Sequence, residues 1–353
     1  MRIWCAALAA VTVACGLDTS GDGVEGGSST ADSPTSGNTA STAGPGTPGT
    51  TPGTTTVADT STTASTTGDT ATTDAPTGTT DEGTTGAPVS QPFGPLLALG
   101  ELNANDASDD DPTLRGDLLE IYFATNRGNG LHEDLWRARR ESPDDDFDEP
   151  EPVMVLNVPG FNDSTPELSD DGLTLWFASD RTNSGHLDVY VTSRRSTDPL
   201  DEWGQPERVE DLSSALNEGA PVLTADGLQG WFCRAQPDSI SALFRATRTR
   251  PDDGWDVAPF AALDTAQEEC SPWVSAEGGE VWFGSNRPEG AGAFDIWIAE
   301  VAGDEAMSLR NLEEINGLGN DDDPWLSADG STLVFASDRD GTYDLFVTTR
   351  TVP

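Results

Sequence analysis

Beyond residue 92 the chain alternates apolar and polar positions in short runs, and the runs recur in a fixed frame. Leu175-Trp176-Phe177, Val281-Trp282-Phe283 and Leu333-Val334-Phe335 have the period of two expected of half-buried strands. Turn signals precede the runs at Asp171-Gly172, Asp226-Gly227, Glu277-Gly278 and Asp329-Gly330. Pairs of this kind close hairpins because their central positions tolerate positive φ. Upstream stand Pro112, Pro166, Pro221, Pro272 and Pro324, and eleven residues after each comes Phe123, Phe177, Phe232, Phe283 or Phe335. Three residues before each proline is an acid: Asp109, Asp163, Glu218, Glu269 or Asp321. A further strand signal follows each phenylalanine in most units, as at Asp134-Leu135-Trp136, Asp188-Val189-Tyr190, Asp295-Ile296-Trp297 and Asp344-Leu345-Phe346. Unit one departs at the turn, with Arg115-Gly116-Asp117, which predicts a shifted or irregular connection there.

Self-similarity at roughly 50 residues marks stacked supersecondary units rather than one mixed domain. Each unit also carries a more variable fourth strand signal, as at Pro152-Val153-Met154-Val155-Leu156. Four antiparallel strands repeated radially make a propeller blade, and the recurring phenylalanines are then inter-blade core. Phe93–Leu102 is an orphan fourth-type strand, and the chain stops soon after the third strand of unit five. The expected fold is all-β, a five-bladed propeller over 93–353 in which that first strand completes the last blade and leaves no open edge.

These motifs resemble the WD40-like repeat of TolB-type β-propellers: an acid, proline, a hydrophobic residue and serine, then Asp-Gly, Phe-x-Ser-x-Arg, and aspartate before an aliphatic and an aromatic residue. Asp321 to Phe346 matches nearly throughout, and the resemblance covers about residues 93 to 350. Members of that family often have six or seven blades, against five units here. The resemblance implies a scaffold that hosts many roles, one of them membership of a cell-envelope complex.

Composition changes the picture at the N-terminus. Met1 to Cys15 has one positive charge at Arg2 and an apolar run from Ile3 to Val13, too short to span a bilayer and suited to export. Its end, Thr12-Val13-Ala14-Cys15-Gly16, resembles a bacterial lipoprotein signal with Cys15 as the lipidated residue, although Thr12 stands where such signals usually place leucine. Residues 16–92 are mostly Thr, Ser, Gly, Pro, Ala and Asp without an aromatic, and are expected to form a disordered linker spanning roughly 50 Å. The domains are thus 1–15 signal, 16–92 linker and 93–353 propeller. Cys233 and Cys270 then remain as candidates for one disulfide in an oxidising compartment.

Lysine is absent, and 18 basic residues face 62 acids for a net charge of −44. Such a balance argues against nucleic acid and anionic lipid as partners and suits cations, basic proteins or a salty medium. The five acids Asp109, Asp163, Glu218, Glu269 and Asp321 are expected to ring one mouth of the central channel, thickened by Asp110, Asp111, Asp322 and Asp323. Converging carboxylates need a cation, hydrogen bonds or protons. Asp109, Asp321 and Asp323 are the candidate metal ligands, with calcium the cation such oxygen donors suit; the competing reading makes each acid an acceptor of backbone N–H groups. Arg127, Arg181, Arg287 and Arg339 are expected to brace Asp134, Asp188, Asp295 and Asp344. In unit three Gln236 and Ala242 stand in those places, so that pair is expected to be lost.

The two histidines, His132 and His186, each two residues before such an aspartate, read as solvated loop residues. No phosphate loop, zinc spacing or nucleophile elbow is present, so no catalytic residue is assigned. The reading is a non-enzymatic, lipid-anchored, monomeric envelope propeller binding a protein or polysaccharide, with no cofactor other than the calcium considered above. The alternative is a carbohydrate-active enzyme using channel-mouth carboxylates, with Trp273 and Trp325 stacking a sugar.

Overall fold

The computed structural model describes residues 91–352 apart from 129, 183, 184, 238 and 239. The expected signal peptide, Cys15 and the linker to residue 90 lie outside the described residues. The first strand is β1 (Leu97–Ala98), and blade one is β2 (Asp109–Leu114), β3 (Glu120–Thr125), β4 (Asp134–Arg139) and β5 (Glu151–Pro152). Blade two is β6 (Asp163–Leu168), β7 (Thr174–Ser179), β8 (Asp188–Ser193) and β9 (Glu207–Arg208). Blade three is β10 (Glu218–Leu223), β11 (Gln229–Ala235), β12 (Ser241–Thr247) and β13 (Asp256–Pro259). Blade four is β14 (Glu269–Val274), β15 (Glu280–Ser285), β16 (Asp295–Ala302) and β17 (Glu305–Asn311). Blade five is β18 (Asp321–Leu326), β19 (Thr332–Ser337), β20 (Asp344–Thr349) and β1. The protein is a five-bladed propeller with four antiparallel strands per blade.

Ring closure joins the two ends of the described chain. Leu97 pairs with Val347 and Ala98 with Phe346. Beyond the strand, the N–H groups of Gly94 and Leu99 donate to the carbonyls of Thr349 and Leu345 at 2.8 and 2.9 Å. Phe93 and Leu102 are both buried. The formal strand is therefore shorter than the expected 93–102, although the whole segment docks. The outer strands of blades one and two are equally short: β5 ends at Pro152, and Met154 beyond it is exposed.

Each recurring phenylalanine lies in a different apolar cluster: Phe123 with Trp325 and Leu345, Phe177 with Leu135, Phe232 with Val189, Phe283 with Leu243, and Phe335 with Ile296. All five are essentially inaccessible. Every such cluster joins neighbouring blades, as a flat apolar sheet face requires.

The turn of unit one is regular. Leu118, six residues after its proline, has φ 65°, where Gly172, Gly227, Gly278 and Gly330 of the other blades have φ 65–73°. Asp117 Oδ1 accepts from Leu119 N at 3.0 Å, just as Asp171 Oδ1 accepts from Leu173 N at 2.9 Å. The turn keeps its geometry with a strained leucine in glycine's place.

Candidate functional site

The five recurring acids open the inner strands β2, β6, β10, β14 and β18, and none has measurable exposure. Each carboxylate is held by an arginine: Asp109 by Arg127, Asp163 by Arg181, Glu218 by Arg234 at 2.7 Å, Glu269 by Arg287 at 3.1 Å, and Asp321 by Arg339. The second oxygen accepts a backbone N–H from the preceding loop, from Ala104, Val158 and Gly317 at 2.6 Å, Ser214 at 2.9 Å and Thr265 at 3.2 Å. The guanidinium also donates to a loop carbonyl, as Arg181 does to Leu156 and Arg287 to Leu263. It lies over two rings, such as Phe123 and Trp136 for Arg127 at 5.2 and 4.9 Å. Burial pushes the Glu218 and Glu269 carboxyls up, against the pull of Ser214 and Thr265 and of the paired arginines.

Two expectations are corrected here. The arginines do not brace Asp134, Asp188, Asp295 and Asp344 but turn the other way, onto the inner-strand acids. Blade three has not lost its arginine either: Arg234, within β11, lies directly opposite Glu218. The third-strand aspartates have other surroundings. Asp188 accepts from Arg208 at 2.9 Å, and Asp295 from the N–H groups of Ala291 and Gly292. Burial, then the neighbouring Asp163 and Asp109 carboxylates, push the Asp134 and Asp344 carboxyls up.

The structure does not gather Asp109, Asp321 and Asp323 into one centre. Two of them are committed to their own arginines, and among the described residues no group of three or more His, Cys, Asp or Glu side chains is arranged to hold a metal. Asp323 instead lines a small axial cavity with Asp111. Asp322 is buried against Gly284 of blade four, where a Cβ would fall 1.7 Å from its Oδ1. Cys233 and Cys270 take the equivalent contact between blades three and four; their Cα atoms are 5.0 Å apart and their sulfurs bonded.

The feature best suited to a ligand is at the opposite mouth, on the side of the hairpin turns. There a cleft of about 450 Å³ opens between blades two to five, walled by Trp176, Trp273 and Trp325, with Glu167, Thr224 and Arg248 supplying polar groups. Trp273 and Trp325 follow the repeat prolines, four residues along the inner strand from Glu269 and Asp321, and line the cleft with the hairpin turns rather than standing beside the acid ring. Trp325 is buried as wall; Trp273 and Trp176 are partly exposed. Glu167 occupies the same post-proline position in blade two, and its Oε2 accepts from Thr113 Oγ1 at 3.1 Å. Burial raises its carboxyl to about 8; the Thr113 hydrogen bond works against the rise and nearby Asp170 adds to it. Sequence reasoning missed Glu167, although the signal was visible: Thr113, Val222, Trp273 and Trp325 hold that position elsewhere, so a carboxylic acid there is an anomaly.

Neither a protein-family model nor a curated protein matches the sequence. Among solved structures the chain is similar to TolB from Acinetobacter baumannii, at 15% identity over 72% of this chain and 54% of that one, with a TM-score of 0.45. It therefore spans about half the length of that protein. It is also similar to an α-L-arabinofuranosidase from Podospora anserina in complex with cellotriose, at 12% identity over 75% of this chain and 98% of that one, with a TM-score of 0.50. A thermostable family-43 glycoside hydrolase is similar at 15% identity, 70% and 90% coverage and a TM-score of 0.48. At 12% identity the likeness to the arabinofuranosidase concerns the fold alone and carries nothing about activity.

Proposed function

We propose that this chain is a non-enzymatic binding propeller of the cell envelope, lipid-anchored through Cys15, which takes a protein segment or polysaccharide in the cleft at the hairpin-turn mouth. One observation carries the reading. The carboxylates that repeat around the ring are each held by a guanidinium and a backbone N–H, whereas the aromatic cleft is open and asymmetric. Concave apolar sites with a few convergent polar groups are the usual form of ligand pockets. The acidic surface favours a basic or neutral ligand over nucleic acid.

A glycan array, run beside capture from envelope extract, tests this with the full chain and with Trp273→Ala and Trp176→Ala. The reading expects a retained ligand that both substitutions release. A ligand retained equally by both variants contradicts it.

Glu167 favours a second reading. A carboxyl that stays protonated near neutral pH inside a cleft is what a general acid requires, and a glycosidase would need a second carboxylate about 5 to 9.5 Å away. Turnover of a bound oligosaccharide, lost in Glu167→Gln, would establish that enzyme in place of the binding module.

A further inference from the structure

Between the two mouths, the residues just before the five repeat prolines close on the channel axis. Asp111, Thr165, Ala220, Ser271 and Asp323 line a cavity of about 30 Å³ there, room for a single ion or water. All five have left-handed backbone, with φ from 48° to 53°. That conformation is unfavourable for a residue with a side chain, most of all for β-branched Thr165, and a following proline disfavours it further. The inner strands hold it nonetheless in every blade, at an irregularity in the ladder such as that between Asp110 and Thr113. The bulge points the pre-proline residue at the axis.

Two of the five are aspartates on adjacent blades. Asp111 N donates to Asp323 Oδ2 at 3.4 Å, which sets the two residues side by side, both buried. Thr165 supplies an independent observation. Its hydroxyl is buried, the residue is 4% exposed, and Oγ1 has no hydrogen-bond partner among the described residues. Buried hydroxyls are nearly always satisfied, so an unsatisfied one lining a small acidic cavity marks a place for a ligand.

We propose that this axial cavity binds one calcium ion, held by the Asp111 and Asp323 carboxylates and the Thr165 hydroxyl, with Ser271 and Glu167 also among the residues that line it. An all-oxygen donor set suits a hard cation, and two carboxylates balance a dication. Magnesium demands a near-ideal octahedral shell and dehydrates reluctantly, whereas calcium accepts an irregular set of oxygen donors such as this one, so the site prefers calcium. The ion would lie deeper than the acid ring, at the point where all five blades meet.

The test uses the chelator-treated full chain, titrated by calorimetry with calcium chloride and separately with magnesium chloride, beside thermal melting. One equivalent of calcium should bind and raise the melting temperature by mass action, with magnesium weaker by about tenfold or more. Thr165→Val should lower calcium affinity about tenfold, the loss of one oxygen contact. Asp323→Asn should abolish binding and, with like-charge repulsion relieved, melt no lower than calcium-free wild type. Should that variant not fold, Asp111→Asn and Thr165→Val carry the comparison. Absence of calcium binding by the wild type leaves the cavity to water and overturns the proposal. Binding undiminished in the folded variants puts the ion elsewhere and overturns it equally.

Discussion

Arg234 donates from Nε to Glu218 Oε1 at 2.7 Å across the β10–β11 pair. It thereby restores in blade three the ion pair that the other blades build from an arginine two residues further along. Its guanidinium lies 5.2 and 4.8 Å from the Phe232 and Phe244 ring centres, as its counterparts lie over theirs. Five such units tie each blade's inner strand to its second strand and to the loop leading into it.

Breaking one pair should strand a carboxylate with no access to water. Arg234→Ala and Arg339→Ala are each expected to lose about 3–5 kcal/mol, read by urea unfolding at neutral pH. Asp134→Ala and Asp344→Ala should be far milder, because those side chains lie near other carboxylates. Equal losses in the two sets would mean that the arginines also work through the third-strand aspartates.

The N-terminal strand should be as important as any core element. Internal deletion of residues 91–102 removes buried Phe93, Leu99 and Leu102 and exposes the edge of β20. The melting temperature should fall by about 10 °C or more. An unchanged melting curve would show that the ring closes without this strand.

Repetition made the fold legible. A constant proline-to-phenylalanine offset and an orphan first strand were enough to count blades and to predict how the ring closes. The partner of the arginines was not legible, for a geometric reason. Thr125 pairs with Asp109 on one side and Asp134 on the other, so an arginine two residues later has an acid available in either direction. The choice is made by the loop carbonyl and the aromatic rings beneath the guanidinium, which only tertiary structure brings together. The cleft was hidden for a similar reason. Trp176, Glu167, Trp273 and Trp325 come from three blades and meet only because the ring closes.

Cys233 and Cys270 link blade three to blade four. Intact-mass analysis of exported protein should find no free thiol at either position. Reduction, or the double change to serine, should cost about 2–4 kcal/mol, with the closed ring limiting the gain from the cross-link. Two alkylatable thiols in native protein would contradict the bond.

Glu167 should make stability depend on pH. Its folded value of about 8 lies above the ordinary 4.5, so the folded state holds a proton that the unfolded state has released between those limits. Stability is fully present below about pH 4.5 and is lost as pH rises to about 8, by an amount on the order of a few kcal/mol. Glu167→Gln should flatten this dependence and be more stable than wild type at pH 8. Parallel pH profiles for the two proteins would place the carboxyl in water and remove it from the cleft's chemistry.

The central claim is that ligand enters at the hairpin-turn mouth while the recurrent acids serve the architecture. Hydrogen-exchange mass spectrometry tests it most directly, using the full chain with and without a ligand retained on the glycan array or from envelope extract. Protection should concentrate in the cleft-lining segments 167–176, 223–227, 273–277 and 325–328. Protection confined to the loops that precede Asp109, Asp163, Glu218, Glu269 and Asp321, at the other mouth, would contradict the account.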